Sequence, residues 1–243
     1  MYSFGIYDSG VGGLTTLAVL KKTFENCSFF YLADTKNNPL GTKKQGEIVK
    51  IVDESVSMLR ENCHLQVVAC NTASTVAKPK NAFLLRPNLD SLVAERTLLL
   101  CTPATARVLK LKEKGFAVAD TKNLATAVEI LSQTAFKTGD ATCFCRLENH
   151  LKTIIDEVLT GRKIDTVYLG CSHYLYFKNV VKKLYPDMGI LDGNERLILD
   201  IKSSENIVSE RCDTAFDFTL GNQTEKYVWL LSQLEENPYF SSI

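Results

Sequence analysis

Residues 4–24 read FGIYDSGVGGLTTLAVLKKTF: a short apolar run, a glycine-rich polar turn, and a stretch whose apolar residues return at helical spacing. Leu14, Leu17, Ala18 and Leu20 make one face, and a basic end follows from Lys21, as suits a helix C-terminus. The same pattern recurs along the chain. SFFYLADT (28–35), LQVVACNTASTVA (65–77), TLLLCTPATARVLKLKEKG (97–115), IDTVYLGCSHYLYFKNVVKKLYP (164–186) and MGILDGNERLILDI (188–201) each begin as a strand. Gly115 reads as a helix C-terminal stop and Pro186 as the end of another helix. Residues 47–61 carry apolar side chains at 48, 49, 51, 52, 56, 58 and 59, the pattern of a covering helix. Strands alternating with helices predict parallel α/β sheets covered on both faces.

The strand ends are unusually alike. Asp8-Ser9, Cys70-Asn71-Thr72, Cys101-Thr102 and Cys171-Ser172-His173 each follow an apolar run. This symmetry predicts two similar three-layer α/β lobes with mostly parallel sheets and a site between them. Residues 1–85, completed by 189–243, would form the first lobe, and 86–188 the second. Ligands of open α/β sheets sit at the C-terminal ends of strands, where all four turns lie.

The 243 residues are 45% hydrophobic and 23% charged, the balance of a globular protein. Lys+Arg and Asp+Glu both number 28. That neutrality argues against a nucleic-acid surface or an anionic membrane and favours a small-molecule partner. The first residues, MYSFGIYDSG, lack the basic and apolar regions of a signal peptide, and no run is long enough to span a bilayer. A cytoplasmic location is therefore expected. Its reducing medium keeps the eight cysteines (27, 63, 70, 101, 143, 145, 171 and 212) as thiols. No paired CxxC spacing exists, and Cys143-Phe-Cys145 with His150 nearby reads as a strand or loop carrying two thiols. No metal and no cofactor are expected.

The turn DSGVGGL invites a dinucleotide reading, with Asp34 imitating the ribose-binding acid, but Thr15 stands where a third glycine or alanine belongs. No Gly-Lys-Ser/Thr follows, so it is not a P-loop. Asp8 would also repel a pyrophosphate at the helix N-terminus. Acceptor, hydroxyl and backbone N–H groups together suit a small zwitterion better. Cys70 and Cys171 then admit two readings: core filling, since free Cys is often buried, or two reactive thiols facing one substrate.

GIYDSGVGGLTTL (5–17), YLADTKNNPLGTK (31–43), VVACNTAS (67–74), TPAT (102–105), YLGCSHY (168–174) and LDG (191–193) together resemble the cofactor-independent glutamate racemases, within the aspartate/glutamate racemase superfamily, over nearly the whole length. The resemblance implies an isomerase that removes the α-proton from one face of glutamate and returns one to the other. Cys70 and Cys171 match the two catalytic cysteines. Asp8 would assist Cys70, while His173 and Glu129 would serve Cys171. Ser9, Leu40, Gly41, Asn71, Thr72, Thr102, Thr105 and Ser172, with Asp8 and His173, match substrate-binding positions. At an ordinary pKa of about 8.5 only roughly 3% of a thiol is ionised at pH 7, so each sulfur needs a partner. A carboxylate alone would raise a thiol pKa, so its help must come through proton handling or hydrogen bonding.

Leu40 stands where the family's Pro-Tyr-Gly turn has tyrosine, and Ser172 replaces a threonine. Residues 76–97 lack the family's apolar strand and Glu-Pro turn, and ADTKNLAT (119–126) lacks the usual apolar approach to the acid at 129. The resemblance further implies a homodimer supplying D-glutamate to peptidoglycan. Aspartate racemisation, or a non-catalytic module that binds acidic amino acids, are the alternatives.

Overall fold

The computed structural model describes residues 2–121, 123–204, 216–218, 223–237 and 240. Among them the strands are β1 (Ser3–Asp8), β2 (Ser28–Ala33), β3 (Leu65–Val68), β4 (Phe83–Leu84), β5 (Thr97–Cys101), β6 (Ala117–Val118), β7 (Thr166–Gly170), β8 (Gly189–Asp192) and β9 (Phe216–Phe218). The helices are α1 (Leu14–Thr23), α2 (Gln45–Asn62), α3 (Asn71–Val76), α4 (Pro103–Val108), α5 (Leu124–Thr138), α6 (Glu148–Leu159), α7 (Lys178–Leu184), α8 (Asn194–Ser204) and α9 (Thr224–Glu236).

Two parallel sheets result, in the orders β4-β3-β1-β2-β9 and β6-β5-β7-β8. This is the two-lobed α/β architecture expected. The strands are apolar on both faces because both faces are covered. In β1, Phe4 and Ile6 join the core that contains Leu14 and Leu17 of α1, whereas Tyr7 joins the core built by Ile48, Val52, Val56 and Leu59 of α2. In the second lobe Val167, Leu169 and Cys171 share the α1-side core, and Leu99, Cys101 and Tyr168 form a separate cluster. Cys101 and Cys171 therefore lie on opposite faces of their sheet. The largest core runs through both lobes, so their meeting surface is well packed.

Parallel pairing puts all C-terminal strand ends on one edge. Asp8 pairs with Ala33, Tyr7 with Val68 and Cys101 with Gly170. The turns after β1, β3, β5 and β7 thus converge, and all four are next to, or part of, central strands.

Four sequence expectations change. The return to the first lobe at 189 is too early: Gly189–Asp192 pairs with Thr166–Leu169 as the edge strand of the second sheet. The chain's next described strand, β9, does lie in the first sheet beside β2. Second, the divergent 76–97 segment contributes β4 to the first sheet, where Phe83 and Leu84 pair with Val67 and Val68. Third, the helix after β5 ends at Val108 rather than running to Gly115. Lys110 takes a left-handed φ of 53°, and buried Leu111 anchors the chain as it turns away. Fourth, Cys143 and Cys145, expected in a strand or loop, lie in a 3-10 segment, Ala141–Leu147, and His64 and His150 are exposed. Cys212 falls outside the described residues.

Candidate active site

Four strand ends and one helix build the site. Cys70 caps the N-terminus of α3, and Cys171 follows β7 just before the 3-10 segment Ser172–Phe177. Both thiols are buried, Cys70 5% and Cys171 4% exposed, yet each keeps polar company. Ser9 Oγ lies 3.7 Å from Cys70 Sγ. His173 Nδ1 lies 3.9 Å from Cys171 Sγ, and its Nε2 is 2.8 Å from Glu129 Oε1. Glu129, on α5, thus completes a chain of three groups: carboxylate, imidazole, sulfur.

Asp8 is wholly buried at the end of β1. Its Oδ1 accepts from the Gly10 N–H at 2.8 Å and its Oδ2 from Ser172 Oγ at 3.0 Å. Burial lifts its pKa to about 6, against the pull of His173 and both hydrogen bonds. Burial, with Asp8 next, pushes Cys70 up to about 12. Asp8 reaches Cys70 through its field rather than by hydrogen bonding. The free protein therefore holds Cys70 as the thiol. Burial opposes charge on His173, but the bonds to Cys171 and Glu129 outweigh it and hold the imidazole well above its ordinary value. Burial likewise opposes the Glu129 carboxylate, and bonds from His173 and the Val11 N–H, with the field of Lys226, keep it low instead.

The glycine turn has a spatial purpose. A Cβ on Gly10 would sit 1.7 Å from Glu129 Oε1, and one on Gly12 would sit 2.4 Å from Ser172 Oγ and 2.7 Å from His173 Nδ1. Only hydrogen at these positions lets the first lobe's turn press against the second lobe's machinery. Tyr31 donates to the Gly10 carbonyl at 2.8 Å and Tyr176 to the Val11 carbonyl at 2.9 Å, fixing the turn from both lobes.

The other expected residues fall into three groups. Thr72 and Thr102 bring their hydroxyls within 3.0 Å across the two lobes, and Thr102 donates to Thr105 Oγ1 at 3.1 Å. Asn71 is 2% exposed, and its amide oxygen and nitrogen are both buried with no hydrogen-bond partner among the described residues. Leu40 does not present a polar group: it is buried in the first-lobe core that includes Cys70, Tyr7 and Ala73, with Gly41 beside it on the Leu40–Thr42 turn. Sequence reasoning missed Asn38, whose Nδ2 donates to Glu129 Oε1 at 3.1 Å. It also missed Lys226, buried on α9 with its charge acting on Glu129. Asn38 stood inside a quoted motif stretch, whereas nothing local marked Lys226. Among the described residues no cluster of three or more His, Cys, Asp or Glu could hold a metal, and no helix is long and apolar enough to cross a membrane.

No protein-family model matches the chain. Solved structures do resemble it. A glutamate racemase of Bacillus anthracis superposes with a TM-score of 0.73 at 21% identity, covering 93% of this chain and 91% of that one. The Escherichia coli glutamate racemase, solved with L-glutamate and the activator UDP-MurNAc-ala, gives 0.72 at 21% identity, covering 96% and 94%. The fold thus places the protein in the class of two-lobed α/β proteins with parallel sheets that these structures share. Its sequence is also 34% identical over 212 residues to the glutamate racemase of Campylobacter concisus, covering 80% of this chain and 79% of that one. The chain belongs to the glutamate racemase family.

Proposed function

We propose that the protein interconverts L- and D-glutamate by moving a proton between Cα and two thiols, without a cofactor. The observation that carries this is the pairing of each buried thiol with its own polar set: Cys70 with Ser9 and the field of Asp8, Cys171 with His173 and Glu129. Two such sets at the facing strand ends are what proton removal and return on opposite faces require. Cys70 would take the proton of D-glutamate and Cys171 that of L-glutamate. The substrate's ammonium would supply the positive charge that a thiolate at Cys70 needs, beside Asp8. The unpartnered Asn71 amide and the Thr72, Thr102 and Thr105 hydroxyls would bind its carboxylates, because a buried amide left unpaired costs about 1–3 kcal/mol.

Circular dichroism of L-glutamate and L-aspartate solutions tests the assignment. Loss of optical activity with glutamate and none with aspartate is expected. Turnover of aspartate alone, or tight glutamate binding without turnover, would overturn it. Dialysis against a chelator and treatment with hydroxylamine should leave turnover unchanged.

The proposal extends to a cytosolic homodimer supplying D-glutamate to peptidoglycan. Ile130 on α5 and Val228 on α9, 62% and 50% exposed, are apolar side chains a partner would cover. Sedimentation showing only monomer at micromolar concentration would refute the dimer.

A further inference from the structure

Glu129 belongs to the second lobe, yet two of the three hydrogen bonds to its Oε1 come from the first. Val11 donates its N–H at 2.9 Å and Asn38 its Nδ2 at 3.1 Å, alongside His173 Nε2 at 2.8 Å. The loop carrying Asn38 is firmly placed. Asn37 Nδ2 donates to both oxygens of Asp34, at 3.0 and 2.8 Å, and the Asp34 N–H donates to the Asp8 carbonyl at 2.9 Å. Asn38 is therefore held in register with the very strand end that presents Asp8. Its amide can stabilise a carboxylate but has no proton to surrender, unlike an acid or an imidazolium.

We propose that Asn38 is a positioning residue: from the opposite lobe it fixes the Glu129 carboxylate under His173, completing the proton-handling set of Cys171 and not that of Cys70. This rests on the two-thiol reading above. When Cys171 acts as base, its own proton resides on His173, the Cα–H bond breaks, and that hydrogen ends on sulfur. When it acts as acid, the flow reverses. Glu129 stays a carboxylate throughout, bonded to the imidazole N–H. Losing the Asn38 bond frees Oε1 to swing away and leaves His173 less well oriented.

Racemisation rates alone cannot reveal a one-sided role, because an equilibrium constant of one forces kcat/KM to be equal in the two directions. The half-reactions can. Elimination of chloride from 3-chlorinated glutamate needs only the first deprotonation. Asn38→Ala should slow elimination from the L-analogue about tenfold, the lower end of what a hydrogen bond to a charged group is worth. It should leave elimination from the D-analogue unchanged, with a cooperative melt only a few degrees below wild type. Asn38→Gln, which keeps the amide, should restore most of the L-rate, and Asn38→Asp, which sets a second carboxylate against Glu129, should be worse than alanine. In Asn38→Ala the acid limb of the L-elimination profile should move to higher pH. Equal losses on both enantiomers, or no loss on either, would overturn the positioning role. A wild-type protein inert towards both analogues would overturn the two-thiol reading itself, and this inference with it.

Discussion

Gly10→Ala should cripple turnover while leaving the fold intact. The added Cβ would lie 1.7 Å from Glu129 Oε1 and 2.8 Å from Asn38 Nδ2, and real Cβ contacts essentially never fall under 3.0 Å. The carboxylate must then retreat by at least about 1.3 Å, the difference between the two distances for Oε1. That displacement strains all three hydrogen bonds on Oε1, from His173, Val11 and Asn38. Misplacing a catalytic group by about 1 Å costs on the order of 100-fold in rate, so kcat should fall by about two orders of magnitude. The overpacking itself should cost about 1–3 kcal/mol of stability, or several degrees of melting temperature in a chain of this size. Gly46→Ala is the control, for nothing lies within 4 Å of its Cβ position and it sits inside α2. It should be neutral or slightly stabilising. Polarimetric kcat and thermal melts of both variants decide the matter. A Gly10→Ala protein that keeps kcat within about threefold of wild type would refute the cross-lobe contact, since the predicted loss is far larger.

Two more outcomes follow from the buried charges. Burial raises Asp8 from 3.8 to about 6, so the native state binds this proton more tightly than the unfolded chain. The penalty is absent below about pH 4 and grows as pH rises to about 6, reaching roughly 3 kcal/mol. Asp8→Asn should therefore lose racemase activity yet melt above wild type at pH 8, with the advantage gone at pH 4. An unchanged melting temperature at pH 8 would contradict the burial account. Lys226→Met should remove a charge that helps keep Glu129 ionised and move the acid limb of kcat to higher pH, and Lys226→Arg should restore it. An acid limb that does not move would rule out that role for Lys226.

Much of this was legible in the sequence because local chemistry repeats. Apolar runs ending in Asp8, Cys70, Cys101 and Cys171 marked both the parallel strands and the polar turns that follow them. The sheet edges were not legible. β4, β6 and β9 have two or three residues each, too few to show a period. β8 reads the same whichever sheet it joins, so only its pairing partner settles its lobe. In the site, the residues flanking each thiol could be read from the chain, as could the weak acid at 129. What could not be read is how the lobes meet. The sequence separations of 118 from Val11 to Glu129 and 91 from Asn38 to Glu129 are bridged only by tertiary packing. Leu40 shows the same limit from the other side. A position where tyrosine is expected became a core residue behind Cys70, a change of environment that the letter alone does not reveal.

The two cysteines carry the account, and separating their half-reactions tests it most directly. Serine keeps the shape of each side chain but is a far weaker acid. Neither Cys70→Ser nor Cys171→Ser should racemise glutamate, because a proton taken on one face needs a donor on the other, and removing both thiols should cost little more than removing one. With 3-chlorinated glutamate the variants should part company: Cys70→Ser eliminates chloride from the L-analogue through Cys171, and Cys171→Ser from the D-analogue through Cys70. If both variants retain or lose activity on the same enantiomer, the thiols do not stand on opposite faces of one carbon.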